Sequence, residues 1–227
     1  QRKLEELLQR SLASEAYLIQ ETSEDDLIDL SKIDFQKLAD RFASGRKRTE
    51  AERLRARIAQ TIAWLAELNK SRIDYAERLE QTVVDYNAGA INVQLYFEEL
   101  LKLAQELNEE EQRAVSLGLS EEELALFDIL TRPGPDLSPS EEKKVLEAAR
   151  DLLAALKDNK LVLDWRKKQQ TKAAVRQTIR RSLSRDLRPL YPNDLLSEKN
   201  ELIYQHIYDA YPSQSDNIYT HTAYPAP

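Results

Sequence analysis

Residues 120–157 read SEEELALFDILTRPGPDLSPSEEKKVLEAARDLLAALK, and this stretch decides the fold class. Ser120 and Glu123 stand in front of Leu124, Phe127 and Leu130. A serine there accepts the third amide of a helix while the glutamate reaches back to the serine amide, so the pair predicts a helix start. Thr131-Arg132-Pro133-Gly134-Pro135 then breaks the pattern, because proline lacks an amide donor and glycine relaxes the backbone. Ser138-Pro139-Ser140-Glu141 restarts it, with a cap, a proline at the first helical position and a second box glutamate. Val145, Ala149, Leu152 and Leu156 follow at i, i+4, i+7 and i+11, which lines one face of an α-helix.

The same alphabet runs outward in both directions. Leu4, Leu8, Leu12 and Ile19 open a first helix, interrupted by the acids of 21–29. Phe35, Leu38 and Phe42 make a short one, ended by Gly45. Thr49 and Glu52 read as a capping box before Leu54, Ile58, Ile62 and Leu65. Ile73, Ala76, Leu79, Val83 and Tyr86 form the next stripe, stopped at Asn87-Ala88-Gly89. Tyr96, Phe97, Leu100, Leu101, Ala104 and Leu107 follow. Asn108 and Glu111 read as a further cap, with Gly118 as a stop. Leu161-Val162-Leu163 is an apolar connector with no assignment. Asp164 reads as the cap of a helix carrying Val175, Ile179, Leu183 and Leu187, ended by Pro189 and Pro192. Leu195, Leu196, Leu202, Ile203, Ile207 and Tyr211 mark a last helix before Pro212.

The expectation is an all-α, irregular multi-helix bundle of about eight or nine helices with no sheet. Residues 1–212 form the helical domain, with a possible seam at 131–137 between 1–130 and 138–212. Residues 213–227 read as a tail.

Composition agrees. The 227 residues hold only four glycines, and leucine (35) plus alanine (24) far outnumber valine plus isoleucine (19). Unbranched side chains lose little rotamer freedom in a helix, and scarce glycine argues against the tight turns of a sandwich or barrel. No apolar run approaches the ~18 residues of a membrane span, so no membrane role is expected. The start Gln1-Arg2-Lys3-Leu4 lacks both an initiator Met and a secretory core, and reads as a piece of a longer chain. The absence of cysteine suits a cytoplasmic setting.

Catalytic chemistry is hard to find. No glycine pair is close enough for a phosphate loop, and there is no cysteine nucleophile. His206 sits at helical spacing among Leu202, Ile203 and Ile207, which reads as a packed or capping side chain, and His221 falls in the expected tail. Glu109-Glu110-Glu111 and Glu121-Glu122-Glu123 read as acids complementing the dipoles of helix starts. The expectation is a chain with no catalytic, metal or cofactor residues of its own.

Charge is unevenly spread under a net −7. Residues 98–128 hold ten acids and two bases. Residues 41–58 hold seven bases and two acids, and include Arg46, Lys47 and Arg48. Residues 164–188 hold nine bases and two acids: Arg166, Lys167, Lys168, Lys172, Arg176, Arg180, Arg181, Arg185 and Arg188 are the bases. Such segments can attract nucleic acid or a partner, but in an acidic chain a solvated basic face paired with the chain's own acids is the preferred reading. The basic helix has no aromatic residue after Trp165 on which single-stranded bases could stack. Its charges run nearly all round the helical wheel, and Lys168 and Lys172 fall near the apolar stripe, where pairing with protein acids or snorkelling is expected. Six of ten tyrosines follow residue 190, and Tyr204, Tyr208 and Tyr211 share one side of the last helix as candidate interface aromatics.

A set of ordered segments resembles a known family. They are Ile33-Asp34-Phe35, Arg41-Phe42, Thr49–Glu52 with Leu54-Arg55, Asn69 with Ser71-Arg72, Tyr86–Gly89 and Glu98–Leu101. Glu106–Ala114 (ELNEEEQRA) and Leu119–Asp128 (LSEEELALFD) are the best stretches, and Leu163–Arg166 and Tyr204–Tyr208 complete the set. Together they resemble the C-terminal helical region of the R (motor and nuclease) subunit of type I restriction-modification enzymes, from about residue 30 to 211. The resemblance implies that nuclease and ATP-dependent translocation machinery, with ATP and Mg, lies upstream in the parent. It implies a bacterial, cytoplasmic setting and a role in attaching the subunit to the methyltransferase (M) and specificity (S) subunits near DNA. Two alternatives stand beside it: direct duplex-DNA binding through 164–188, helped by 41–58, and a generic helical scaffold.

Overall fold

The computed structural model describes residues 35–44, 47–162, 164–213 and 217–221, and among them every regular element is helical. The helix expected from Leu4, Leu8, Leu12 and Ile19, the stop at Gly45, and Arg46 lie outside the described residues. The chain divides into two units between Ser116 and Leu117.

The first unit holds α1 (Phe35–Ser44), α2 (Lys47–Leu68), a 3-10 turn (Lys70–Arg72), α3 (Ile73–Asn87) and α4 (Val93–Ser116). Helices α2, α3 and α4 pack pairwise, and α1 lies on α2. The stripes meet in one core of Leu54, Ile58, Ile62, Leu65, Leu79, Phe97, Leu100 and Leu107, all buried. Phe42 stacks on Phe97 with centroids 3.8 Å apart, and Tyr86 on Tyr96 at 4.2 Å. Fully burying each such side chain contributes roughly 1.5–3 kcal/mol before the entropy cost. Asn69 opens the 3-10 turn by accepting the Ser71 amide at 3.1 Å.

Two expected starts move. Helix α2 begins at Lys47, so Thr49 lies inside its first turn. Asn108 is no cap, because α4 runs unbroken for 24 residues, and Leu107, Glu110 and Ala114 continue its buried stripe past the expected break. Glu109, Glu110 and Glu111 therefore sit in a helix interior. Glu110 Oε1 accepts from Arg72 Nε at 3.0 Å and from Arg113 Nη1 at 3.2 Å.

The second unit holds α5 (Glu121–Thr131), α6 (Pro139–Asn159), α7 (Gln169–Asp186), α8 (Asn193–Ala210) and the single turn α9 (Ile218–His221). Each of α5 to α8 packs on the next, and α8 returns to α5, so the four close a ring. Leu124, Leu130, Val145, Leu152, Leu156, Val175, Ile179, Leu183, Ile203 and Ile207 fill it. Both capping boxes form: the Ser120 amide donates to Glu123 Oε2 at 2.8 Å, and the Ser138 amide to Glu141 Oε2 at 2.8 Å.

The breaker 131–137, expected as a possible seam, joins α5 and α6 inside this unit. Lys199 on α8 holds it there, donating to Pro133 O at 2.6 Å and Arg132 O at 3.3 Å. Tyr191 donates its hydroxyl to Leu130 O at 2.9 Å. Orphan carbonyls at the end of α5 thus find donors, as buried backbone groups require. Of the expected tail, Ser213 and Asn217 are buried. Asn217 Oδ1 accepts the Tyr219 and Thr220 amides at 3.0 and 3.1 Å and so opens α9.

Candidate functional site

The basic segment is organised by α7. The helix starts at Gln169, four residues later than an Asp164 cap would place it. Asp164 has φ 59°, in the left-handed region, and belongs to a turn closed by the Lys167 amide on its carbonyl at 2.9 Å. Thr171 secures the helix start, its hydroxyl lying 2.6 Å from Trp165 O and 2.8 Å from Lys168 O. Trp165 is fully buried and donates Nε1–H to Tyr211 O at 2.8 Å. Val175, Ile179 and Leu183 take the core side, which turns most of the bases outward.

The bases then separate into two groups. Four are held by their own unit. Arg176 donates to Glu201 on α8 and lies 3.6 Å over the Tyr204 ring. Arg185 pairs with Asp186 at 2.6 Å and Lys167 with Asp164 at 2.8 Å. Arg166 donates to Asp209 O at 3.0 Å and sits 5.1 Å over Tyr208. These contacts leave electrostatic traces: the hydrogen bond to Glu201 raises the Arg176 pKa, and Arg185 holds the Asp186 carboxyl below its ordinary range.

Lys168, Lys172, Arg180, Arg181 and Arg188 make no ion pair among the described residues. Lys172 is half-buried and the other four are exposed. Of the two outcomes expected for Lys168 and Lys172, pairing with protein acids or snorkelling, the pairing is absent there. On α7, Arg176, Arg180, Arg181 and Arg185 are exposed, while Lys172 lies near the buried stripe.

The tyrosines are packed more than presented. Tyr204 and Tyr211 are buried and Tyr208 is half-buried. The Trp165 ring meets Tyr204 and Tyr208 edge-on at 6.4 and 5.8 Å. His206 is also buried, with Nε2 2.9 Å from the Tyr219 hydroxyl.

The basic group of the first unit is neutralised in part. Arg53 pairs with Glu50 at 3.2 Å, and Arg55, buried, with Glu52 at 2.7 Å. Lys47 lies 5.4 Å over the Phe42 ring, and Arg48 is exposed. Among the described residues no cluster of three or more His, Asp or Glu could hold a metal ion, and no helix is long and apolar enough to cross a membrane. Sequence reading missed the buried charges Arg72, Glu110 and Lys199, since nothing local separates them from exposed neighbours of the same type.

Comparison with known proteins gives the context. Residues 1–211 match the family model "Type I restriction enzyme HindI endonuclease subunit-like, C-terminal". A Methanocaldococcus jannaschii protein named as a type I restriction enzyme MjaIXP endonuclease subunit is 29% identical over 102 residues, which is 45% of this chain and 10% of that protein. The type I restriction enzyme HindI endonuclease subunit of Haemophilus influenzae is 25% identical over 112 residues, 49% of this chain and 10% of that protein. The matched part thus spans about a tenth of each relative's length. No solved structure matches. With a family match over residues 1–211 and only helices among the described residues, this protein belongs to the C-terminal domain family of type I restriction enzyme endonuclease subunits.

Proposed function

We propose that this chain is an assembly module of a type I restriction endonuclease subunit, which attaches that subunit to a methyltransferase–specificity core beside DNA. The observation that carries the reading is the family match over residues 1–211. The fold supports it. Both units are helical, and ion pairs between helices, such as Arg78–Glu106 and Arg176–Glu201, fix side chains on their surfaces. Preorganised surfaces of this kind lose little conformational entropy on association, which favours docking.

On this reading, cleavage and ATP- and Mg-dependent translocation reside elsewhere in the parent subunit, and the complex works in the cytoplasm. The test is calorimetry of the 227-residue chain against the assembled methyltransferase–specificity core. Saturable binding is expected. Absence of heat and of pull-down at tens of micromolar overturns the docking role.

A further inference from the structure

We infer that the solvent face of α7, carried by Arg180 and Arg181 with Arg188 in the turn that follows, binds the phosphodiester backbone of a nucleic-acid duplex. The inference goes beyond the docking role and does not depend on it. Nine bases crowd residues 164–188, but internal contacts occupy Arg166, Lys167, Arg176 and Arg185. Arg180, Arg181 and Arg188 are exposed and have no carboxylate partner among the described residues. At 3.6 residues per turn, Gln177, Arg180, Arg181 and Ser184 fall within an arc of about 100°. All four are exposed. The face therefore combines unneutralised guanidinium groups with neutral donors, the side chains that hold phosphate oxygens.

The same face argues against other occupants. A protein partner is met by a patch with an apolar or aromatic centre. Among the described residues none of the exposed large hydrophobic side chains lies on α7. Single-stranded nucleic acid wants exposed aromatic rings to stack on. The nearby aromatics are already used: Trp165 and Tyr191 are buried and Tyr204 lies under Arg176. A polyanion with regularly spaced phosphates and no need for stacking is what remains, and a duplex backbone is that ligand.

The test uses the 227-residue chain and a 20-base-pair duplex by fluorescence anisotropy, from about 20 mM salt upward. Three phosphate contacts predict a slope of log affinity against log salt near −2.7, at about 0.9 per contact. The triple variant R180Q/R181Q/R188Q is expected to lose at least roughly 10²-fold in affinity at about 20 mM salt, with the slope close to zero. Unrelated duplex sequences should bind equally. Circular dichroism checks that the triple variant keeps its helix content. If it does not fold, each single variant should lower the slope by about one.

Arg185→Gln should leave the slope within about half a unit, since Asp186 already neutralises that side chain. No duplex binding by the unaltered chain at about 20 mM salt overturns the proposal. So does an unchanged slope in the triple variant, a loss as large in Arg185→Gln, or tighter binding of a single strand. Assembly with the methyltransferase–specificity core, measured in parallel, should survive the triple substitution. Its loss without any effect on duplex binding assigns the face to a protein instead and also overturns the proposal.

Discussion

Glu110 shares a run of three glutamates with Glu109 and Glu111, but only Glu110 is buried, at 6% exposure, facing Arg72 at 1%. A charge so placed is tolerable because two guanidinium groups satisfy one of its oxygens. Removing one side of a buried pair leaves the other charge uncompensated. Glu110→Ala is therefore expected to cost about 3–5 kcal/mol in urea unfolding. Glu109→Ala, on the exposed side of the same turn, should stay within about 0.5 kcal/mol. Equal effects would show that Arg72 and Glu110 are not coupled.

Lys199 is buried as well, at 0% exposure. Burial lowers its pKa, against a smaller opposing pull from Glu198. Between the folded pKa and the ordinary value of about 10.5, the unfolded chain binds more protons than the folded one, so stability from this group rises with pH. The unaltered protein should thus gain stability relative to Lys199→Met as pH is raised from 7 towards 10. A constant difference across that range would contradict a desolvated amine.

Helix ends were legible where their chemistry is local. Ser120–Glu123 and Ser138–Glu141 are three-residue reciprocal pairs, so sequence alone announces them, and both form. Gly89 and Gly118, helix stops by sequence, have φ of 73° and 65°, values that glycine adopts without strain. Elsewhere packing outweighs local signals. Asn108 looks like a cap, but the apolar period continues through it to Ala114. Asp164 looks like another, but the buried Trp165 consumes the next turn and delays α7 to Gln169. Gly134 illustrates the opposite limit, in which backbone crowding demands a particular residue. A Cβ there would lie 2.6 Å from Thr131 O, which is backbone and cannot step aside cheaply. Gly134→Ala is expected to destabilise by about 1–3 kcal/mol, read as a lowered urea midpoint, with helix content unchanged.

At the scale of the whole molecule, two units each enclose their own core, and the division falls after α4 rather than at the proline-rich breaker. Residues 117–224 expressed alone should give a helical spectrum and one cooperative melt. A broad, non-cooperative transition would mean that the unit depends on the rest of the chain. The net charge of −7 is a whole-chain sum that hides how unevenly acids and bases are spread, with nine bases against two acids in residues 164–188. By itself the sequence determined the helical class, most helix positions and the segments where bases concentrate, since all of these depend on spacings of a few residues. Only tertiary structure decided which charges are buried, which are paired and which remain free. Arg72 meets Glu110 across 38 residues and Lys199 meets Pro133 across 66. Such partners are set by how helices pack, and the energy that selects them comes from burying the apolar stripes rather than from the charged residues themselves.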